Sequence, residues 1–167
     1  LCTIESDTPL ARLDALGFHL THELAASNVL YMLDLAGVPF RAEARRPEAP
    51  LNAPEAWPLV LAGGGMTPNA EFLAPFFDLM ILGDGEAILP ELLDLLREAK
   101  ARGERKDVLL RSLAGRPGYY VPALFEARPG PAAQGTARPL LAGHERVEKR
   151  LVPDLDATTY PVAPIQA

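Results

Sequence analysis

Two glycine-rich loops carry the residues of this chain whose spacing could do chemistry. Gly63, Gly64 and Gly65 in "AGGGMTP" follow the apolar run Leu59 to Ala62, and Gly83, Asp84, Gly85 and Glu86 in "GDGE" follow Leu79 to Leu82. A glycine permits turns that a Cβ forbids and lets backbone approach another group closely. Each loop therefore has two readings: it turns a strand into the next segment, or it clears side chains from the path of a flat, bulky ligand. Neither is a phosphate loop, which needs Gly-Lys-Ser/Thr, nor the Gly-x-Gly-x-x-Gly of dinucleotide binders. Asp84 and Glu86, at the start of a helix, read first as a cap and a dipole complement. His19, His22 and Glu23 straddle a strand–helix junction, share no defined face, and lie far in sequence from His144, so no metal site is assigned. No Gly-x-Ser-x-Gly elbow occurs, and no catalytic residue is assigned.

Composition narrows the classes further. The 167 residues, 49% hydrophobic, suffice for one core and a short appendage. A net charge of -6 without a basic run argues against a nucleic-acid partner. The single cysteine, Cys2, excludes a disulfide framework and any cysteine-ligated zinc or iron–sulfur site built by this chain alone. It fits a reducing cytoplasm, and no apolar run approaches the about 18 residues of a membrane span. The start, "LCTIESDTPL", has neither an initiator methionine nor the features of a signal peptide, and reads as the beginning of a piece of a longer protein.

The elements that position the loops follow from periodicity. "LDALGFHL" (13–20) reads as a strand, and Ala26, Val29, Leu30, Leu33 and Ala36 form the stripe of a helix that Gly37 and Pro39 end. "WPLVLAG" is a second strand; Thr67 and Pro68 are the expected cap and first-turn proline of a short helix through Phe72 to Pro75. "DLMILGDGE" is a third strand, and Ile88, Leu89, Leu92, Leu93 and Leu96 are expected to face inward from the helix after it, which ends at Lys100 to Gly103. Strands that are unbroken apolar runs alternating with helices imply a doubly wound parallel sheet, in which ligands bind beyond the carboxyl ends of the strands. Beyond Gly103, "RKDVLLRSLAG" reads as a helix capped by Asp107. "GYYVPALFEA" reads as an edge strand carrying Tyr119 and Tyr120, with Pro122 in it. "RPGPAAQGTARP" is a loop, "HERVEKRLV" a strand that pairs with 118–127 as a hairpin, and "PDLDATTYPVAPIQA" an extended linker. Trp57 is a packing residue.

The runs "LDALGFHLTHELAASNVLYMLDLAGVPFRAE", "PLVLAGGGMTPNAEFLAPFFDLMILGDGEAILPELLDLLREAK" and "VEKRLVPDLDATTYPVAPI" together resemble the cobalamin-binding-type N-terminal region of B12-binding-domain radical SAM proteins, in particular an uncharacterised bacterial subfamily in which this region immediately precedes the radical SAM barrel. Its pattern is three strands ending in Gly-Phe-Ser-Leu, Ala-Gly-Gly and Gly-Asp/Glu-Gly-Glu; here these are Gly17 to Leu20, Ala62 to Gly64, and Gly83 to Glu86. The resemblance implies a partial flavodoxin-like sheet over 1–115, a strand or hairpin extension over 116–152, and a linker over 153–167 leading to a radical SAM barrel. It further implies that cobalamin lies against His19, Leu20, Thr21, Gly63, Gly64, Gly65, Gly83, Asp84, Gly85 and Glu86. In the barrel a Cys-x-x-x-Cys-x-x-Cys motif would hold a 4Fe-4S cluster and S-adenosylmethionine; this chain lacks that motif and is expected to have no activity by itself. His19 stands where the family has a serine, and the Asp-x-His-x-x-Gly motif of other cobalamin proteins is missing, so cobalt ligation by His19 or His22 is not implied. The first strand of such a sheet is missing as well, which leaves two expectations: Leu1 to Ile4 fills the gap, or the chain forms a homodimer through the exposed edge. The alternatives are a docking module that has lost its ligand and a flavin or nucleotide binder.

Overall fold

Residues 1–128, 136–142 and 144–158 are described by the computed structural model of the chain. Strands β1 (Ala15–His19), β2 (Leu59–Gly63) and β3 (Leu79–Ile81) lie parallel in that order, and β4 (Tyr119–Tyr120) closes the sheet antiparallel to β3. The β1–β2 register runs from Ala15 opposite Leu59 to His19 opposite Gly63. β2 meets β3 at Leu61 opposite Leu79, and β3 meets β4 at Met80 opposite Tyr120.

Side chains alternate along a strand, so each strand feeds two cores. Leu16, Val60, Ala62, Met80 and Tyr120 pack with Val29 and Leu33 of α1 (Ala25–Leu35) and with Leu73 and Phe77. Leu59, Leu61, Leu79, Ile81 and Tyr119 pack on the opposite face with Ile88 and Leu92 of α2 (Gly85–Ala101) and Leu110 and Leu113 of α3 (Lys106–Leu113). Burial on both faces is why β2 and β3 read as continuous apolar runs. This is the partial doubly wound α/β sheet that the pattern predicts.

A charged cluster clamps the amino ends of β2 and β3. Asp78, just before β3, accepts hydrogen bonds from Arg45 Nε (3.1 Å) and from the Val60 amide (2.8 Å). Arg45 also donates to the carbonyls of Pro39 (2.8 Å), Phe40 (2.9 Å) and Phe76 (3.0 Å). Lys106, at the start of α3, reaches the carbonyls of Arg45 (3.4 Å) and Pro58 (3.3 Å). All three side chains are essentially inaccessible: Arg45 0%, Asp78 2%, Lys106 2% exposed. Burial lowers the pKa of Arg45 and of Lys106, against the opposing pull of Asp78.

Several expectations are corrected. Leu1 to Ile4 does not fill the gap beside β1: Cys2 bridges to Pro9, and the chain folds back on itself with Leu10 N bonded to Leu1 O. Leu89 and Leu93 are 41% and 48% exposed, because the Ile88–Leu92–Leu96–Ala99 line meets the sheet and each next position is turned about 100° away. Thr67 starts two short 3-10 turns (Thr67–Asn69 and Glu71–Phe76) and makes no side-chain cap, and the cap position of α3 is Arg105, whose side chain pairs with Asp107. The run 118–127 is broken at Pro122 by a 3-10 turn (Pro122–Leu124), so β5 (Phe125–Arg128) leaves the main sheet. β5 pairs with β6 (Thr136–Pro139), inside the stretch read as a loop, and not with 144–152. The middle of that loop and the linker from residue 159 onward lie outside the described residues; a 3-10 turn (Leu155–Ala157) follows Asp154, which accepts from Asp156 N.

Two outcomes follow from the buried cluster. Asp78→Ala leaves the Arg45 charge unpaired and is expected to cost about 3–5 kcal/mol, whereas Lys106→Met, which removes a weakly bonded buried cation, is expected to be close to neutral; urea unfolding measures both. Because the folded-state pKa of Lys106 lies below its ordinary 10.5, the unfolded chain binds more protons between the two values. Stability is therefore expected to rise with pH through that window, and comparison with Lys106→Met isolates the slope.

Candidate functional site

Beyond the carboxyl ends of β1, β2 and β3 the chain forms a cleft of about 410 Å³ on the α2 side of the sheet. Its floor is Leu61 and Ile81, its far wall is Leu89 and the start of α2, and its near rim is Gly17 and His19. Seven of the ten sequence-predicted residues line it: His19, Gly63, Gly64, Gly83, Asp84, Gly85 and Glu86. The other three do not. Leu20 is a fully buried core residue, bonded through its amide to Gly63 O (2.7 Å), and Thr21 and Gly65 are exposed outside the cleft.

The glycines divide by what occupies the space a side chain would take. At Gly64 (φ 113°) a Cβ would lie 2.5 Å from Leu20 O and 3.0 Å from the His19 ring, so the turn after β2 requires glycine. At Gly83 (φ 127°) it would lie 2.0 Å from the Arg150 carbonyl oxygen. The fold itself demands these two. At Gly17 no atom lies within 4 Å of the position a Cβ would take, and at Gly63 only Ile81 Cβ does, at 3.9 Å. The chain does not use the space over Gly17 and Gly63, and that space is the cleft.

Residues 148–152 form a strap along the end of β3. Gly118 N donates to Glu148 O (2.7 Å), Arg150 N to Leu82 O (3.0 Å), and Asp84 N to Arg150 O (2.9 Å). Asp84 occupies the N-cap position of α2, yet its carboxylate accepts from Val152 N (2.8 Å) and caps the strap instead of the helix. Arg150 pairs with Glu91, which also takes Arg116 (3.1 Å). The hydrogen bond from Arg150 holds the Glu91 carboxyl below its ordinary range, and burial, with the Glu91 charge nearby, pushes Tyr119 up to about 12. Half of the "GDGE" loop is thus committed to holding the chain's own later segment. Glu86 remains exposed beside the first turn of α2, where its charge complements the helix dipole.

Sequence reasoning missed Gly17, Leu61, Ile81 and Leu89 as cleft residues. Gly17 had a signal: an isolated glycine within an apolar strand marks close approach of another group. Among the described residues no group of three His, Cys, Asp or Glu could hold a metal ion, and His144 lies in a separate cavity of about 380 Å³ beside Gly115 and Arg116. No described helix is long and apolar enough to cross a membrane.

A family described as radical SAM proteins, N-terminal, matches residues 1–122, from the start of the chain through all four strands of the main sheet. No curated protein and no solved structure matches.

The division of the glycines is measurable. Gly83→Ala is expected to lose more than about 1 kcal/mol and to expose 148–152 to amide exchange, while Gly17→Ala stays within about 1 kcal/mol of the parent. Thermal melts and exchange mass spectrometry compare the two.

Proposed function

Because the chain belongs to the radical SAM N-terminal family, we propose that it is the accessory region of a radical SAM enzyme and that its carboxyl-edge cleft holds cobalamin. The observation that supports this reading is the unused space over Gly17 and Gly63, floored by Leu61 and Ile81 at the edge where α/β sheets bind ligands. A cleft of about 410 Å³ lies in the range of small-ligand pockets, about 300–1,000 Å³, and suits a flat base with its sugar. In this reading Gly17 and Gly63, with Leu61 and Ile81 beneath them, would hold a flat part of the cofactor, and His19, Gly64 and Glu86 would line the approach to it. When bound, cobalamin supplies a carrier for a methyl group. The chain's own residues orient it: the apolar floor excludes water, and the strap latched by Asp84 keeps the start of α2 in place.

The partner in this reading is a barrel of the same polypeptide that carries the 4Fe-4S cluster and S-adenosylmethionine. The imidazole of His19, set against Gly64, favours a second reading, a docking module that keeps the fold without the cofactor.

Titration of the chain with hydroxocobalamin, read by cobalamin absorbance and co-elution, decides between them. Saturable binding that Gly17→Val and Gly63→Val each weaken at least about tenfold, about 1.4 kcal/mol, is the expected result. Failure to saturate favours the docking module, and saturable binding that both variants leave unchanged, with unchanged melting, contradicts the cleft as the binding place.

A further inference from the structure

One loop serves both the cleft and the strap. Gly83, Asp84, Gly85 and Glu86 form a wall of the cleft, while Asp84 N donates to Arg150 O (2.9 Å) and, one turn along the ladder, Arg150 N donates to Leu82 O (3.0 Å). Asp84 is also the N-cap residue of α2. Its backbone is extended (φ -83°, ψ 122°), the conformation from which an Asp carboxylate accepts from the second or third amide of its own helix. Those amides belong to Glu86 and Ala87. The carboxylate goes instead to Val152 N (2.8 Å), and no side chain caps α2. Two sets of donors therefore compete for one carboxylate. A second tie joins strap and helix through Arg150 and Glu91.

We infer that Asp84 is a switch between the strap and α2, and that a ligand in the cleft favours the latched position. The second half rests on the cleft being the ligand site. In the latched position the strap takes the carboxylate, and the loop stands where it forms the cleft wall. On release the carboxylate turns to the amides of Glu86 and Ala87, which brings its charge to the end of α2 that lines the cleft. Release also frees Gly83 from the Arg150 carbonyl, which excludes a side chain there. A ligand that fits the latched wall binds the released one less well, so it shifts the population toward the latch. By linkage, a firmer latch raises the affinity of the ligand by the same factor. Occupancy of the cleft is thereby passed to the chain that continues from the strap.

Amide exchange on the parent and on Arg150→Pro tests the switch with no ligand present. The variant loses the donor to Leu82 O and the pair with Glu91, and none of these three residues lines the cleft. Exchange at least about tenfold faster over 148–152, together with slower exchange at Glu86 and Ala87, is expected, while β2 and β3 stay protected as in the parent. Adding Asp84→Ala to the variant is expected to abolish the slowing. Arg150→Gln, which keeps the amide and loses only the Glu91 pair, is expected to move both rates in the same directions by less. With hydroxocobalamin, the strap amides of the parent are expected to slow as the cleft fills, and Arg150→Pro to raise the dissociation constant at least about tenfold. Strap release without slowing at Glu86 and Ala87, or no release in either variant, overturns the switch. Equal affinity of the parent and Arg150→Pro, with the strap released, overturns the coupling. A parent that binds no hydroxocobalamin contradicts the cleft reading and the coupling together, and the ligand-free exchange still decides the switch.

Discussion

The structure depends on the carboxylate of Asp78. One oxygen takes both the Arg45 guanidinium and the Val60 amide, and Arg45 in turn gathers the carbonyls of Pro39, Phe40 and Phe76. Those bonds gather the segment after α1, the start of β2 and the turn before β3 at one end of the sheet. In a parallel sheet the amino ends fix where the carboxyl ends emerge, so the heights of the two glycine loops follow from this buried pair. A buried pair is costly to desolvate, so its net contribution to stability is small even though removing one partner alone is expensive.

At the opposite end the same chain separates two uses of glycine. Gly64 and Gly83 are consumed by the fold, one by the Leu20 carbonyl and one by the strap at Arg150. Gly17 and Gly63 are not, and the volume they leave open is the cleft. The strap links these features to the later chain. Asp84 and Gly83 grip residues 148–152, Glu91 receives Arg150 and Arg116, and whatever follows the strap is thereby tethered beside the cleft.

Much of this was legible in the sequence because burial on two faces leaves an unmistakable trace: Leu59 to Ala62 and Leu79 to Leu82 could only be central strands, and the loops after them could only lie at the ligand edge. Six cleft residues, Gly63, Gly64 and Gly83 to Glu86, lie in those two loops, and the resemblance added His19. What could not be read were relations set by tertiary packing. That Leu89 and Leu93 face away from the sheet depends on which line of α2 meets it. That Asp84 caps the strap and not its own helix depends on residues nearly seventy positions away. Pro122 is an edge signal in the sequence but turns the chain out of the sheet altogether, which frees β5 to pair with β6 and leaves 148–152 to form the strap. Arg45 and Lys106 gave no signal, since nothing local distinguishes a buried cation from a solvated one.

The central claim is that the space over Gly17 and Gly63 is a ligand site, and amide chemical shifts recorded as hydroxocobalamin is added test it most directly. The account predicts saturable shifts at Gly17, Gly63, Gly64 and Glu86, with the amides around His144 and Gly115 unmoved. Shifts confined to the His144 cavity, or none at a large excess of hydroxocobalamin, would contradict it.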